Sequence, residues 1–384
     1  MKLIHILLFS ALFSPQLKAQ ELNPFYQSLA SQVSYDNIVT SLTTFESFGI
    51  KEMGTTAQQN TKNWILDQYE SWGYTDIEQQ EVNVWGETGF NIIVTKTGTL
   101  YPDQFIIIDG HYDTINGPGV NDNGSGTSII LEIARILKDV PTEYSIKFIH
   151  FTAEELGLIG SYHYVQEVAV PQNLNIKLVL NIDQVGGVAG ETNHTITCER
   201  DEDEPNSNNN ASDIATTQLA NLIGLYSDLN TEFSHAYGSD YVPFQEEGFV
   251  ITGLYETNES PFPHSPDDTF ENMDPEFVYQ VAKGSLGALC FFAKAYNELS
   301  INYLENERFL VFPNPADEQV LIKNTKENQY EVKITDLTGR ILFSKNSSEK
   351  EFKINTLSVP NGVYFLQING ENTNWSQKLI IQHK

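Results

Sequence analysis

Along the first three hundred residues, short apolar runs alternate with longer stretches of helical spacing. Residues 91–94, 105–108, 146–151, 178–182 and 250–254 have the length and composition of buried strands. Between and after them, residues 60–74, 125–138, 157–167, 211–226 and 275–299 read as helices; in the first, Trp64, Ile65, Leu66, Tyr69 and Trp72 fall near a 3.6-residue period. Strand–helix alternation of this kind predicts an α/β domain, a three-layer αβα sandwich around a mixed, mostly parallel sheet. From about residue 306 the texture changes. Short alternating segments at 319–322, 331–335, 341–344 and 363–368, separated by turn residues, predict a small all-β sandwich.

Charge marks the same boundary. The chain of 384 residues carries a formal net charge of -29. From residue 305 to the end, 10 Lys and Arg balance 10 Asp and Glu, so the preceding part, with 12 against 41, holds the whole imbalance. Such a field repels nucleic acid and anionic membrane surfaces and argues against both as partners. The division predicted is a leader at 1–19, a large domain at 20–304 and a small one at 305–384. The leader has Lys2, an apolar run over 3–13 and a cleavage signal at Leu17-Lys18-Ala19, and predicts export. No other run approaches the roughly 18–20 apolar residues of a membrane span. Cys198 and Cys290 are the two cysteines. They lack the spacing of a metal or redox pair, and either a disulfide or buried thiols fits them.

Five fragments carry chemistry: His111-Tyr112-Asp113, the loop from Val120 to Gly124, Glu154-Glu155, Asn181-Ile182-Asp183, and His264-Ser265-Pro266-Asp267-Asp268. His111, Glu154 and Asp183 each fall at or just after the end of a predicted strand, where open α/β sheets place their ligand crevice. Imidazole and carboxylate are the donors that suit zinc. Asp113 is spaced to accept the second ring N–H of His111. Asp122, in a glycine-rich loop, is either part of a helix cap or a carboxylate able to offer its two oxygens to two cations. Adjacent carboxylates repel unless cations or solvent offset them, and one of Glu154 and Glu155 can ligate while the other moves a proton. Asp267 or Asp268 is placed to orient His264 or to cap the next helix. His150, on a strand, reads as a core residue. The acidic run 199–204 reads as a solvated loop ahead of a calcium site.

Together the fragments resemble the secreted zinc aminopeptidases that share a fold with glutaminyl cyclases and the transferrin-receptor ectodomain. The likeness runs from about Thr44 to Glu298 and is densest in residues 110–114, 121–126, 152–161 and 264–268. It implies two zinc ions, one held by His111 and Asp183, the other by Glu155 and His264, with Asp122 bridging. It also implies Glu154 as general base, Asp113 as the residue that orients His111, and peptides with free N-termini as substrates. Gly238-Ser239-Asp240 matches a family element near the mouth of the site. Some members carry a tyrosine before the last histidine; here Pro263 stands there, so that role has no candidate. The small domain resembles the C-terminal sorting domain of type IX secretion substrates, through Phe312-Pro313-Asn314-Pro315-Ala316, residues 336–340, 362–366 and 378–381. That implies export through the periplasm of a Gram-negative bacterium by the type IX machinery, to be released or held at the cell surface; a monomer is expected. The alternatives are a single-zinc glutaminyl cyclase, a carboxypeptidase or dipeptidase specificity, and a non-catalytic binding protein on the same fold.

Overall fold

Successive side chains in a strand point to opposite faces, and here both faces are apolar. Ile92, Val94, Ile106, Ile108, Ile146, Phe148, Leu178 and Leu180 join one core cluster, whereas Ile93, Ile107, Ile149, Phe151 and Val179 join another. A sheet of such strands must be covered on both sides. In the computed structural model it is. Residues 20–236, 238–297, 309–324, 329–336, 338–370 and 373–383 are described. The expected leader and the expected boundary at 304 lie outside them, and the chain divides into two compact units after Asn297.

The first unit has strands β1 (Ile77–Val84), β2 (Glu87–Lys96), β3 (Tyr101–His111), β4 (Tyr144–Phe151), β5 (Asn175–Ile182), β6 (Thr195–Arg200), β7 (Asn230–His235) and β8 (Ile251–Glu256). Its helices are α1 (Pro24–Ala30), α2 (Tyr35–Ser47), α3 (Thr56–Ser71), α4 (Gly124–Leu137), α5 (Ile159–Tyr164), α6 (Asn209–Tyr226), α7 (Val242–Glu246) and α8 (Pro275–Phe292). The strand order is β1-β2-β4-β3-β5-β8-β6-β7. β4, β3, β5 and β8 form a parallel central block, flanked by antiparallel pairings of β1 with β2, β2 with β4 and β6 with β8; β6 and β7 pair in parallel. The larger core holds residues of α1, α2, α3, α4, α6 and α8; the smaller holds Tyr164 of α5, Phe244 of α7 and the π-helical turn Val165–Ala169. This is the expected three-layer sandwich.

Two predicted helices have other bounds than their apolar patterns. The one expected over 157–167 begins at Ile159, because Gly157 and Leu158 adopt positive φ in a turn closed by their amides on the Glu154 carbonyl. The one expected over 275–299 ends at Phe292. Lys294 is left-handed (φ 51°), its amide donates to Phe291 and that of Ala295 to Cys290, a Schellman stop that the apolar periodicity did not reveal. Both cysteines are buried and free, on β6 and α8. His150 is buried, with Nε2 2.9 Å from the Tyr69 hydroxyl. The acidic run expected as a solvated loop is only partly one: Glu199 and Arg200 end β6, Glu199 and Asp201 are buried, and Asp201 accepts the Asp203 amide and the Asn208 side chain. No helix among the described residues is long and apolar enough to cross a membrane.

The second unit has β9 (Phe309–Phe312), β10 (Gln319–Asn324), β11 (Tyr330–Thr335), β12 (Ile341–Ser347), β13 (Glu351–Asn355), β14 (Gly362–Gly370) and β15 (Thr373–Ile381). They make two antiparallel sheets, β13-β10-β9 and β12-β11-β14-β15. Val320, Ile322 and Ile354 from one meet Val332, Ile334, Leu366 and Ile368 from the other in a single core.

Candidate metal centre

Every candidate ligand follows the carboxyl end of a central parallel strand. His111 is the last residue of β3, and the Asp122 loop joins β3 to α4. Glu154 and Glu155 follow β4, Asp183 follows β5, and the loop after β8 carries His264. Because β3, β4, β5 and β8 are neighbours running the same way, these loops share one edge of the sheet.

There the side chains converge. His111 Nε2 lies 3.2 Å from Asp122 Oδ1, 3.3 Å from Asp183 Oδ1 and 3.9 Å from Glu154 Oε2. His264 Nε2 lies 3.1 Å from the other Asp122 oxygen and 2.9 Å from Glu155 Oε2. Donors bound to one tetrahedral zinc at about 2.0–2.1 Å stand roughly 3.3 Å apart. His111 Nε2, Asp122 Oδ2 and Asp183 Oδ1 are buried without a hydrogen-bond partner, which cations between these donors would supply. Two trios in the cluster, His111 with Glu154 and Asp183, and His111 with Asp122 and Glu155, bring ligand atoms within 4.8 Å of one another.

The electrostatics point the same way. Burial pushes the Glu155 carboxyl up to about 9, and the Asp122 charge reinforces it. Burial likewise drives Glu154 well above the carboxylate range, against the pull of His111. Burial would also raise Asp122, yet the imidazoles of His111 and His264 beside its two oxygens hold it at about 2. The Asp122 carboxylate 3.1 Å away lifts His264 to about 9. Four carboxylates and two imidazoles packed this closely cannot all take their metal-binding forms without positive charge among them. The donor set and its charge deficit fit zinc.

Supporting contacts differ in part from the sequence expectation. His111 Nδ1 lies 3.1 Å from the Asp113 backbone carbonyl and 3.7 Å from its carboxylate. That carboxylate instead accepts the amides of Glu154 and Glu155 at 3.1 and 3.3 Å, fixing the acidic pair. Asp268 neither faces His264 nor caps a helix; its two oxygens accept the amides of Asn121 and Asp122 at 2.8 and 3.1 Å. Asn123 does cap α4, through the Gly126 amide, and also donates to the Ile182 carbonyl beside Asp183. The Ser239 hydroxyl donates to Asp183 Oδ2 at 2.6 Å; Asp240 is fully buried, and burial pushes its carboxyl well up.

Residues 91–288 match the family model described as Peptidase family M28, and residues 310–382 match that of the secretion system C-terminal sorting domain. The first match covers more than half of the 384 residues. The chain belongs to peptidase family M28. Among similar M28-type sequences, Aminopeptidase YwaD of Bacillus subtilis is 35% identical over 201 residues, 50% of this chain and 42% of that protein. A probable leucine aminopeptidase of Trichophyton verrucosum is 27% identical over 279 residues, 67% of this chain and 73% of that one. The matched stretch thus spans less than half of the Bacillus protein. Among solved structures, the Legionella pneumophila LapA aminopeptidase superposes with a TM-score of 0.61 at 24% identity, covering 71% of this chain and 76% of that one. Bacteroides thetaiotaomicron glutaminyl cyclase gives 0.56 at 20%, covering 67% and 97%. These likenesses establish the shared fold.

Two residues to which the sequence assigned no role, Asn121 in the Asp122 loop and Glu256, knit this M28 centre together. Asn121 accepts the Gly186 amide and donates to Glu256, which also accepts the amides of Gly187 and Ser260. The loops that bear Asp122, Asp183 and His264 are joined through this buried pair. Glu256 ends β8 as a carboxylate closing an apolar run, the same signature that drew attention to Asp183.

Proposed function

We propose that this chain is an exported aminopeptidase that works with two zinc ions and removes the N-terminal residue of peptides. One observation carries the reading. The imidazoles of His111 and His264 face opposite oxygens of the single Asp122 carboxylate, each has a further carboxylate beside it, and Glu154 remains at the edge of the cluster. Membership of peptidase family M28 and relatives named as aminopeptidases support it.

In this reading His111 and Asp183 would hold one ion and Glu155 and His264 the other, with the Asp122 carboxylate shared between the two sets. Zinc bound there would supply a Lewis acid for the scissile carbonyl and for a water molecule. Glu154 takes a proton from the attacking water as its oxygen bonds to the carbonyl carbon. When the carbon–nitrogen bond breaks, the same carboxyl returns that proton to the departing amine. Asp113 holds Glu154 and Glu155 by their amides, so the base and the ligand are oriented together. Ser239 fixes Asp183 and Asn181 fixes Ser239. The acidic surroundings suit the positive charge of a free α-amino group.

The remaining proposals concern traffic. A leader at 1–19, a catalytic domain at 20–304 and a sorting domain at 305–384 would address a monomer through the periplasm to the type IX machinery and the cell surface. Deleting residues 310–382 should then leave the enzyme in the periplasm, seen by fractionation. The activity is tested with zinc-loaded protein and a panel of free and N-acetylated peptides. Stepwise loss of residues from free N-termini is expected. Cleavage of the blocked peptides alone would overturn the reading, and loss of ammonia from N-terminal glutamine without chain shortening would replace it with cyclisation.

A further inference from the structure

A cavity of about 340 Å³ has Asp113 and Leu156 among its lining residues, next in contact or in chain to the acidic pair. Met53, Val84, Trp85 and Leu156 give it apolar walls, and two exposed carboxylates, Glu52 and Glu87, stand among its lining residues. Two of its lining residues tie it to the centre. Asp113, which holds the Glu154 and Glu155 amides, lines it, and Leu156 follows directly on Glu155. Leu156 and Met53 pack with Val84 and with Ala153, the residue before Glu154.

The Trp85 side of this cavity is unusual. Val84 pairs with Glu87, so Trp85 and Gly86 form a two-residue hairpin turn, with φ of 50° and 97°. That turn favours asparagine and glycine, because a bulky side chain is strained at positive φ. Trp85 is also 87% exposed, leaving a large apolar surface in water. Strained backbone and exposed aromatic surface at one point are what a ligand contact uses.

We infer that this cavity receives the side chain of the residue directly after the scissile bond, and that it favours a bulky apolar group there over an acidic one. The inference rests on the aminopeptidase reading above. Glu154 delivers its proton to the departing amine, so the departing peptide leaves along the side of the cleft formed by Glu154, Glu155 and Leu156. The residue after the scissile bond is the first whose side chain reaches the cavity from there. Trp85 and Leu156 cover an apolar group, and Glu52 and Glu87 repel an acidic one.

The test is a series of pentapeptide amides, Leu-Xaa-Gly-Gly-Gly, with Xaa as Phe, Leu, Ala or Glu, alongside leucine p-nitroanilide, whose leaving group has no such side chain. For the zinc-loaded wild type, kcat/KM for Phe over Ala should be about tenfold, with Glu lowest. In Trp85→Asn, which suits the turn, the Phe-to-Ala ratio should fall to within about twofold. Glu87→Gln should narrow the Ala-to-Glu ratio. Ratios measured within one variant do not depend on the active fraction of the preparation. Hydrolysis of leucine p-nitroanilide and the peptides with no dependence on Xaa, or a Phe-to-Ala ratio unchanged in Trp85→Asn, overturns the subsite alone. Hydrolysis of neither substrate type overturns the aminopeptidase reading and the subsite with it.

Discussion

Glu154 and Glu155 are adjacent, yet the fold turns them to different neighbours. Glu155 meets His264 at 2.9 Å, while Glu154 stands 3.9 Å from His111, within reach of the cluster but looser. The looser carboxylate is the one suited to moving a proton. Glu154→Gln should lower kcat by roughly 10²–10⁴-fold while zinc content, measured by atomic absorption, stays at the wild-type level. Loss of zinc in that variant would make Glu154 a ligand instead. His150 gives a separate, pH-dependent outcome. Burial holds its pKa at about 3, against 6.5 in an unfolded chain. The native state keeps it neutral, so between those values the unfolded state binds more protons. Its contribution to stability is intact above 6.5 and is lost as pH falls towards 3. His150→Gln, which can still meet the Tyr69 hydroxyl, should make stability fall less steeply with acid, by up to about 1.4 kcal/mol per pH unit, as read from urea unfolding at several pH values.

At the scale of elements, the centre depends on loops holding one another. Asp122 reaches both histidines because Asp268, from the loop that bears His264, binds the amides of Asn121 and Asp122. Removing such a support displaces a ligand without deleting it. Asp268→Ala should therefore weaken zinc binding about 10–100-fold in chelator competition, with the helical circular-dichroism signal retained. An unchanged zinc affinity would show that the loop holds its shape without Asp268. The helix α4 anchors the other side of this loop. All its residues but Arg135 are buried, and six of them are leucine or isoleucine, each contributing about 1.5–3 kcal/mol when fully buried. A loop fixed to such a helix at Asn123 has little freedom to drift.

For the molecule as a whole, the described residues of the first unit contain the complete centre, and the second unit has its own core. A fragment of residues 20–304 should fold and retain kcat/KM within about twofold of the longer chain, since all the proposed ligands lie in the first unit. Chelation should act on stability as well as activity, because it leaves the carboxylates around Asp122 to repel one another. With zinc held at a hundredfold excess over its dissociation constant, ligation contributes about 2.7 kcal/mol. Stripping it should lower Tm by about 5 °C or more, and added zinc should restore it in a calorimetric scan.

What the sequence determined by itself was the set of elements and donors. Apolar runs on two-residue and 3.6-residue periods announced the central strands and most of the helices, and the donors stood out as carboxylates or imidazoles where apolar runs ended. β1, β6 and β7 escaped, because their exposed or mixed side chains lack a continuous apolar run. What only the tertiary structure decided was the pairing of those donors. The parallel order of β4, β3, β5 and β8 sets His111 beside Asp183, residues far apart along the chain, and gives Asp113 to the two glutamate amides. The bond between Asn121 and Glu256 was mute for the same reason: a buried hydrogen bond between distant loops leaves no period in the sequence, since its partners are brought together by the sheet and not by spacing along the chain.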